Sequence, residues 1–104
     1  MEEQVPAEQM PAEQALPEQA LAEQVRGILK IASGLGDTVQ ELATHDNLWH
    51  AGMNSLASVR VLVALEETFA VEFPDGKLTM EVFASIDSLT RTVLDLQRES
   101  GEVL

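Results

Sequence analysis

The sequence predicts an all-α fold: a small four-helix bundle of three main helices and one short helix, with a long loop between the first and second helices. Three observations carry that prediction. No segment sustains the apolar–polar alternation of a half-buried strand. Three windows place apolar residues at the spacing of one helix face. Proline, glycine, serine and asparagine gather at the ends of those windows, where helices start and stop.

The chain divides near residue 20. Residues 1–24 repeat Glu-Gln at 3–4, 8–9, 13–14, 18–19 and 23–24, a five-residue period. Such a period matches neither a helix face nor a strand face, so it builds no buried stripe. Pro6, Pro11 and Pro17 also block a continuous helix. We therefore expect residues 1–19 to be a disordered, acidic, solubilising tail. The predicted bundle spans 20–100, with 101–104 as a short C-terminal tail.

Within the bundle, Leu21, Val25, Ile28, Leu29 and Ala32 recur at i, i+4, i+7, i+8 and i+11, the apolar face of a first helix. Pro17 suits its start, and Gly34 and Gly36 stop it. Residues 33–54 have no clean period and read as a long loop with a turn around Asp46–Trp49. Loops of that length in a compact domain are often functional. A second helix is predicted from Ser55 to about Ala70. Asn54 is its N-cap, since a side-chain oxygen there can accept the free N–H groups of the first turn. Pro74, Asp75 and Gly76 end that pattern, and a short helical turn is expected near Met80–Phe83. Ser85 then caps a last helix in which Ile86, Leu89, Val93 and Leu96 share a face.

Composition narrows the function. The net charge is −12, which argues against nucleic-acid and anionic-membrane surfaces, both of which need positive charge. With three Phe, one Trp and no Tyr, the core must be aliphatic, and base-stacking platforms are lacking. The absence of cysteine excludes disulfides, thiolate metal sites and a cysteine nucleophile. No apolar run is long enough to span a bilayer, and the acidic N-terminus is unlike a signal peptide. A cytoplasmic monomer is the expectation.

The second helix has more apolar surface than one buried stripe requires. Val61, Leu62, Leu65 and Phe69 lie on one side. Leu56, Val59 and Val63 lie on another, rimmed by Arg60, Glu66 and Glu67. An apolar patch edged with charge suits a transient protein partner; the alternative is a helix simply buried on a broad face of a small bundle. Ser55 opens this helix; on local physics alone a serine there is usually a cap or first-turn residue, and the functional alternative is that free N–H groups and the helix dipole best tolerate a phosphate at that end. Gly52 permits an unusual backbone conformation just before it.

The stretch Asp46-Asn-Leu-Trp-His-Ala-Gly-Met-Asn-Ser-Leu-Ala-Ser-Val59 resembles the attachment-site signature of acyl and peptidyl carrier proteins. That signature has a loop Asp and Leu, then Gly, two residues, Ser and Leu. Residues 61–74, Val-Leu-Val-Ala-Leu-Glu-Glu-Thr-Phe-Ala-Val-Glu-Phe-Pro, are similar to the rest of the family's second helix and the turn after it. Phe83-Ala-Ser-Ile86 resembles its third-to-fourth helix junction. The resemblance covers about residues 20–99.

The resemblance implies a non-catalytic carrier. Ser55 would bear 4′-phosphopantetheine, transferred from coenzyme A by a phosphopantetheinyl transferase. The arm's thiol would hold an acyl or aminoacyl cargo as a thioester, supplying the sulfur that the chain lacks. A loading ligase or transferase and downstream enzymes would be the partners, docking on Leu56, Val59, Arg60, Val63, Glu66 and Glu67. Tethering raises the cargo's effective concentration at each of them. Two departures from fatty-acid-synthesis carriers point to a specialised carrier. Asn54 stands where those usually have Asp, and Ala57 and Arg60 stand where acids are common. The competing reading is an unmodified acidic interaction module. His45, Asp46 and His50 form only a weak metal candidate, and no metal site is expected. A serine hydrolase would need an orienting partner and an oxyanion motif that the sequence lacks.

Overall fold

A computed structural model of the chain describes residues 17–102. The helices are α1 (Pro17–Ala32), α2 (Thr38–Glu41), α3 (Leu48–Ala51), α4 (Ser55–Phe69) and α5 (Ile86–Glu102), with a 3₁₀ turn at Asp75–Lys77. No strand occurs among the described residues. The expected all-α bundle is thus present, its three main helices being α1, α4 and α5. Residues 17–19 and 101–102, assigned to tails on sequence, are helical. Proline at the first helical position has no N–H to lose there, so α1 can begin on Pro17. The remainder of both expected tails lies outside the described residues.

α1 packs against both α4 and α5. Leu21, Val25 and Leu29 of α1 meet Ala57, Val61 and Leu65 of α4 and Ile86, Leu89, Val93 and Leu96 of α5 in one core. Phe73 and Phe83 close one end of it, their rings 5.9 Å apart and tilted. The helix ends follow local chemistry. Ser85 Oγ accepts the Ser88 N–H at 3.0 Å while Ser88 Oγ accepts the Ser85 N–H at 3.1 Å, a reciprocal cap on α5. α4 ends on Ala70 in the left-handed region (φ 55°, ψ 45°), and the Ala70 and Val71 N–H groups both donate to the Glu66 carbonyl.

The long loop is more structured than its sequence suggests. The turn expected around Asp46–Trp49 is α3, and α2 is an additional short helix anchored by buried Val39. The α2 region is held from outside. Arg26 Nη1 on α1 donates to the Val39 and Leu42 carbonyls, each at 2.7 Å. Two backbone bonds stitch the rest to the start of α5: Leu48 N–H to Ala84 O at 2.7 Å and Asp87 N–H to Thr44 O at 2.9 Å. The short helix expected at Met80–Phe83 is a single hydrogen-bonded turn. Phe83 N–H reaches Thr79 O at 3.3 Å and Val82 N–H reaches Thr79 Oγ1 at 3.1 Å. It stops there because Ser85 already opens the cap of α5.

Candidate functional site

Ser55 is placed by the four residues before it. α3 ends on Gly52, whose φ of 123° and N–H bonds to Leu48 O and Trp49 O turn the chain sharply. A Cβ at that position would sit 3.3 Å from Leu35 Cδ2, so both conformation and space favour glycine. Met53 then plugs into the core, its N–H bonded to Leu48 O at 3.0 Å. Asn54 follows in extended conformation and caps α4: its Oδ1 accepts the Ala57 N–H at 2.8 Å. The Asn54 carbonyl accepts the Ser58 N–H at 2.9 Å.

Ser55 is left exposed at the first position of α4. Its carbonyl accepts the Ser58 hydroxyl at 2.6 Å, but its own hydroxyl makes no hydrogen bond among the described residues. An uncommitted hydroxyl at a helix N-terminus fits a phosphodiester. The oxygen is available for the bond, and the helix dipole favours the negative charge beside it.

An apolar cleft of about 250 Å³ opens beside this hydroxyl. Ser55, Ser58, Val59 and Leu62 of α4 form one wall; Trp49, Leu78, Thr79, Met80 and Phe83 form the rest. Trp49 Nε1 donates to the Met80 carbonyl at 3.0 Å, tying α3 to the 79–83 turn across the cleft. Sequence reading did not find Leu78, Met80 or Ser58. Exposed aliphatic side chains in an irregular segment have no period to reveal them. Trp49, the lone tryptophan in a polar loop, was the one available signal.

The outward face of α4 carries Leu56, Val59 and Val63, exposed by 63%, 54% and 46%. Arg60 and Glu67 are exposed on the same face. Glu66 differs: it is half-buried, and its Oε2 accepts the Phe73 N–H at 2.9 Å, holding the chain after α4. Ala57 differs more. It is 3% exposed, inside the core, so the surface departure from acidic carriers rests on Arg60. His45, Asp46 and His50 do not converge. Asp46 Oδ2 accepts the Ala43 N–H at 2.8 Å, His45 Nε2 stands 4.0 Å from the other carboxylate oxygen, and the His50 N–H caps onto Asn47 Oδ1. No group of three or more His, Asp or Glu able to hold a metal occurs among the described residues.

Residues 19–93 match the family described as phosphopantetheine attachment site. The chain belongs to that family. It is a carrier protein, and the family's cofactor is covalently attached 4′-phosphopantetheine. The carrier is 39% identical over 69 residues to an aminoacyl carrier protein of Agrobacterium fabrum, a match covering 66% of this chain and 83% of the relative. It is similar to the carrier protein from Agrobacterium tumefaciens in a crystal structure with an engineered Bradyrhizobium japonicum glycine:carrier protein ligase and AMP. There the TM-score is 0.66 at 38% identity, covering 69% of this chain and 96% of the other. A solution structure from Agrobacterium tumefaciens gives a TM-score of 0.62 at 34% identity, covering 80% and 99%. Among the described residues, no helix is long and apolar enough to cross a membrane.

Proposed function

We propose that this carrier holds an aminoacyl group as a thioester on a phosphopantetheine arm borne by Ser55, and presents it to partner enzymes. The observation that carries this reading is the exposed, uncommitted Ser55 hydroxyl at the start of α4, with Asn54 taking the capping role. The arm, when attached, supplies the thiol. The chain's own residues do the rest. Asn54, Met53 and Gly52 fix the position of the attachment oxygen, and the cleft beside it offers apolar shelter. At about 250 Å³ that cleft lies below the usual range for drug-sized ligands, which suits an amino acid or short acyl group better than a long chain. The likeness to an aminoacyl carrier protein, and to a carrier seen with a glycine ligase, supports the amino acid.

In this reading the protein is not an enzyme. A phosphopantetheinyl transferase attaches the arm and an ATP-dependent ligase loads it. Leu56, Val59, Arg60, Val63 and Glu67 form the docking face, with Glu66 at its edge holding Phe73 in place. The carrier acts as a cytoplasmic monomer, and the Glu-Gln segment before the bundle serves as a solubilising tail.

Intact mass tests the attachment. Incubation with coenzyme A and a broad-specificity phosphopantetheinyl transferase should add one phosphopantetheine, and Ser55→Ala should abolish the gain. No gain under conditions that modify a control carrier would refute attachment and favour the unmodified interaction module. A gain that persists in Ser55→Ala would move the site elsewhere.

A further inference from the structure

The chain distributes its charge unevenly around Ser55. It carries eighteen acidic residues, yet none lies between Asn47 and Leu65. The one permanently charged side chain in that stretch is Arg60. At about 100° per residue, Val59, Val63, Leu56, Glu67 and Arg60 fall within an arc of about 100° on α4. Arg60 thus borders three exposed aliphatic side chains at one edge of the face, with Glu67 on the same edge two turns along. It makes no ion pair among the described residues. Ala57, the other non-acidic departure, is buried and adds nothing to this surface.

We propose that the loading ligase docks on this face with an apolar surface that carries a carboxylate opposite Arg60. This rests on the aminoacyl-carrier reading above and adds the chemistry of the partner. Charge complementarity decides the occupant. A basic patch laid over Leu56, Val59 and Val63 would press cation against cation at the Arg60 edge of the contact, and like charges there suppress binding. A carboxylate instead pairs with the guanidinium fork through two hydrogen bonds, while the aliphatic neighbours exclude water from the pair. An anionic membrane is disfavoured, because one arginine on a protein of net charge −12 gives little attraction to it. Nor does Arg60 serve the arm. It follows Ser55 by five positions, about 140° around the helix and about 7.5 Å along it, so it faces away from the attachment oxygen.

The test uses holo carrier, with the arm verified by mass, and the Bradyrhizobium japonicum glycine:carrier protein ligase with ATP and glycine. Loading kcat/KM is compared for wild type, Arg60→Lys, Arg60→Ala and Arg60→Glu. Lys should fall within about threefold of wild type, Ala should lose about three- to tenfold, and Glu should lose on the order of 30- to 100-fold, chiefly through KM. The gap between wild type and Glu should shrink several-fold between about 0.05 and 0.5 M salt, as screening weakens both attraction and repulsion. One ligase carboxylate, changed to lysine, should restore loading of the Glu variant. Melting temperatures serve as a control and should not move, since Arg60 is exposed.

Equal or faster loading of Arg60→Glu overturns the proposal. So does a salt-independent loss, or a defect confined to arm attachment. A wild-type carrier that takes up the arm but is not loaded with glycine by this ligase defeats the partner reading and the proposal together. A wild type that takes up no arm defeats the carrier reading itself, an outcome seen separately in the mass measurement.

Discussion

Arg26 offers the most direct test of how the site is held. Its Nη1 donates to two carbonyls, Val39 and Leu42, each at 2.7 Å, and so ties α2 and the loop beyond it to α1. Hydrogen bonds to a charged group are worth roughly 1.5–3 kcal/mol each, and removing the donor leaves acceptors partly shielded from water. The site is only part-buried, so water recovers some of that loss. Arg26→Ala should therefore destabilise the bundle by about 2–4 kcal/mol. For a domain of this size 1 kcal/mol corresponds to roughly 4–8 °C, so the melting temperature should fall by about 8–32 °C. Arg26→Lys keeps the charge but loses the planar fork and should recover about half. Urea denaturation gives the free energy, and hydrogen exchange locates it: amides from Val39 to Leu48 should lose protection before those of α4. A loss below about 0.5 kcal/mol in Arg26→Ala, the size of an ordinary surface substitution, would refute the staple.

Asn54 and Ser55 should separate cleanly in the apo protein. Asn54→Ala removes the cap on α4 and should cost about 1 kcal/mol by urea denaturation, whereas Ser55→Ala should change stability by less than about 0.5 kcal/mol. A larger cost for Ser55→Ala would mean that its hydroxyl has a structural partner. Ala70→Gly should stabilise the protein by about 0.5–1 kcal/mol, because glycine adopts the left-handed cap without the Cβ penalty that alanine bears, less the entropy it adds to the unfolded chain. A lower melting temperature would show that the Ala70 methyl contributes packing that outweighs its backbone cost.

Periodicity made the main helices legible because each buries a single face. Leu21, Val25 and Leu29, and likewise Ile86, Leu89, Val93 and Leu96, occupy the core that their spacing implies. The exposed second face of α4 was readable for the converse reason: Leu56, Val59 and Val63 exceed what one buried stripe can use. What escaped depends on partners distant in sequence. Nothing local in residues 33–47 announces α2, whose hold on the bundle comes from Arg26 and buried Val39. The cleft escaped as well, since it exists only where α3 and the 79–83 turn meet α4. Ala57 shows a limit of family comparison. A missing acid suggests an altered surface, but burial decides whether the position is surface at all. Glu66 has the matching lesson: a charged residue beside an exposed apolar patch can be committed to its own backbone, here at Phe73.

Trp49 lines the cleft, pinned by its bond to Met80. It is also the chain's sole tryptophan, and there is no tyrosine to obscure it. The protein therefore contains its own optical reporter, lining the same cleft as Ser55. Indole emission responds to water, so under the proposed function a cargo that folded back into the cleft would be expected to shift the spectrum, and one extended towards a partner enzyme to leave it as in the apo form. Occupancy of the cleft can thus be tested in real time without a label, by comparing tryptophan emission of the apo, holo and loaded forms.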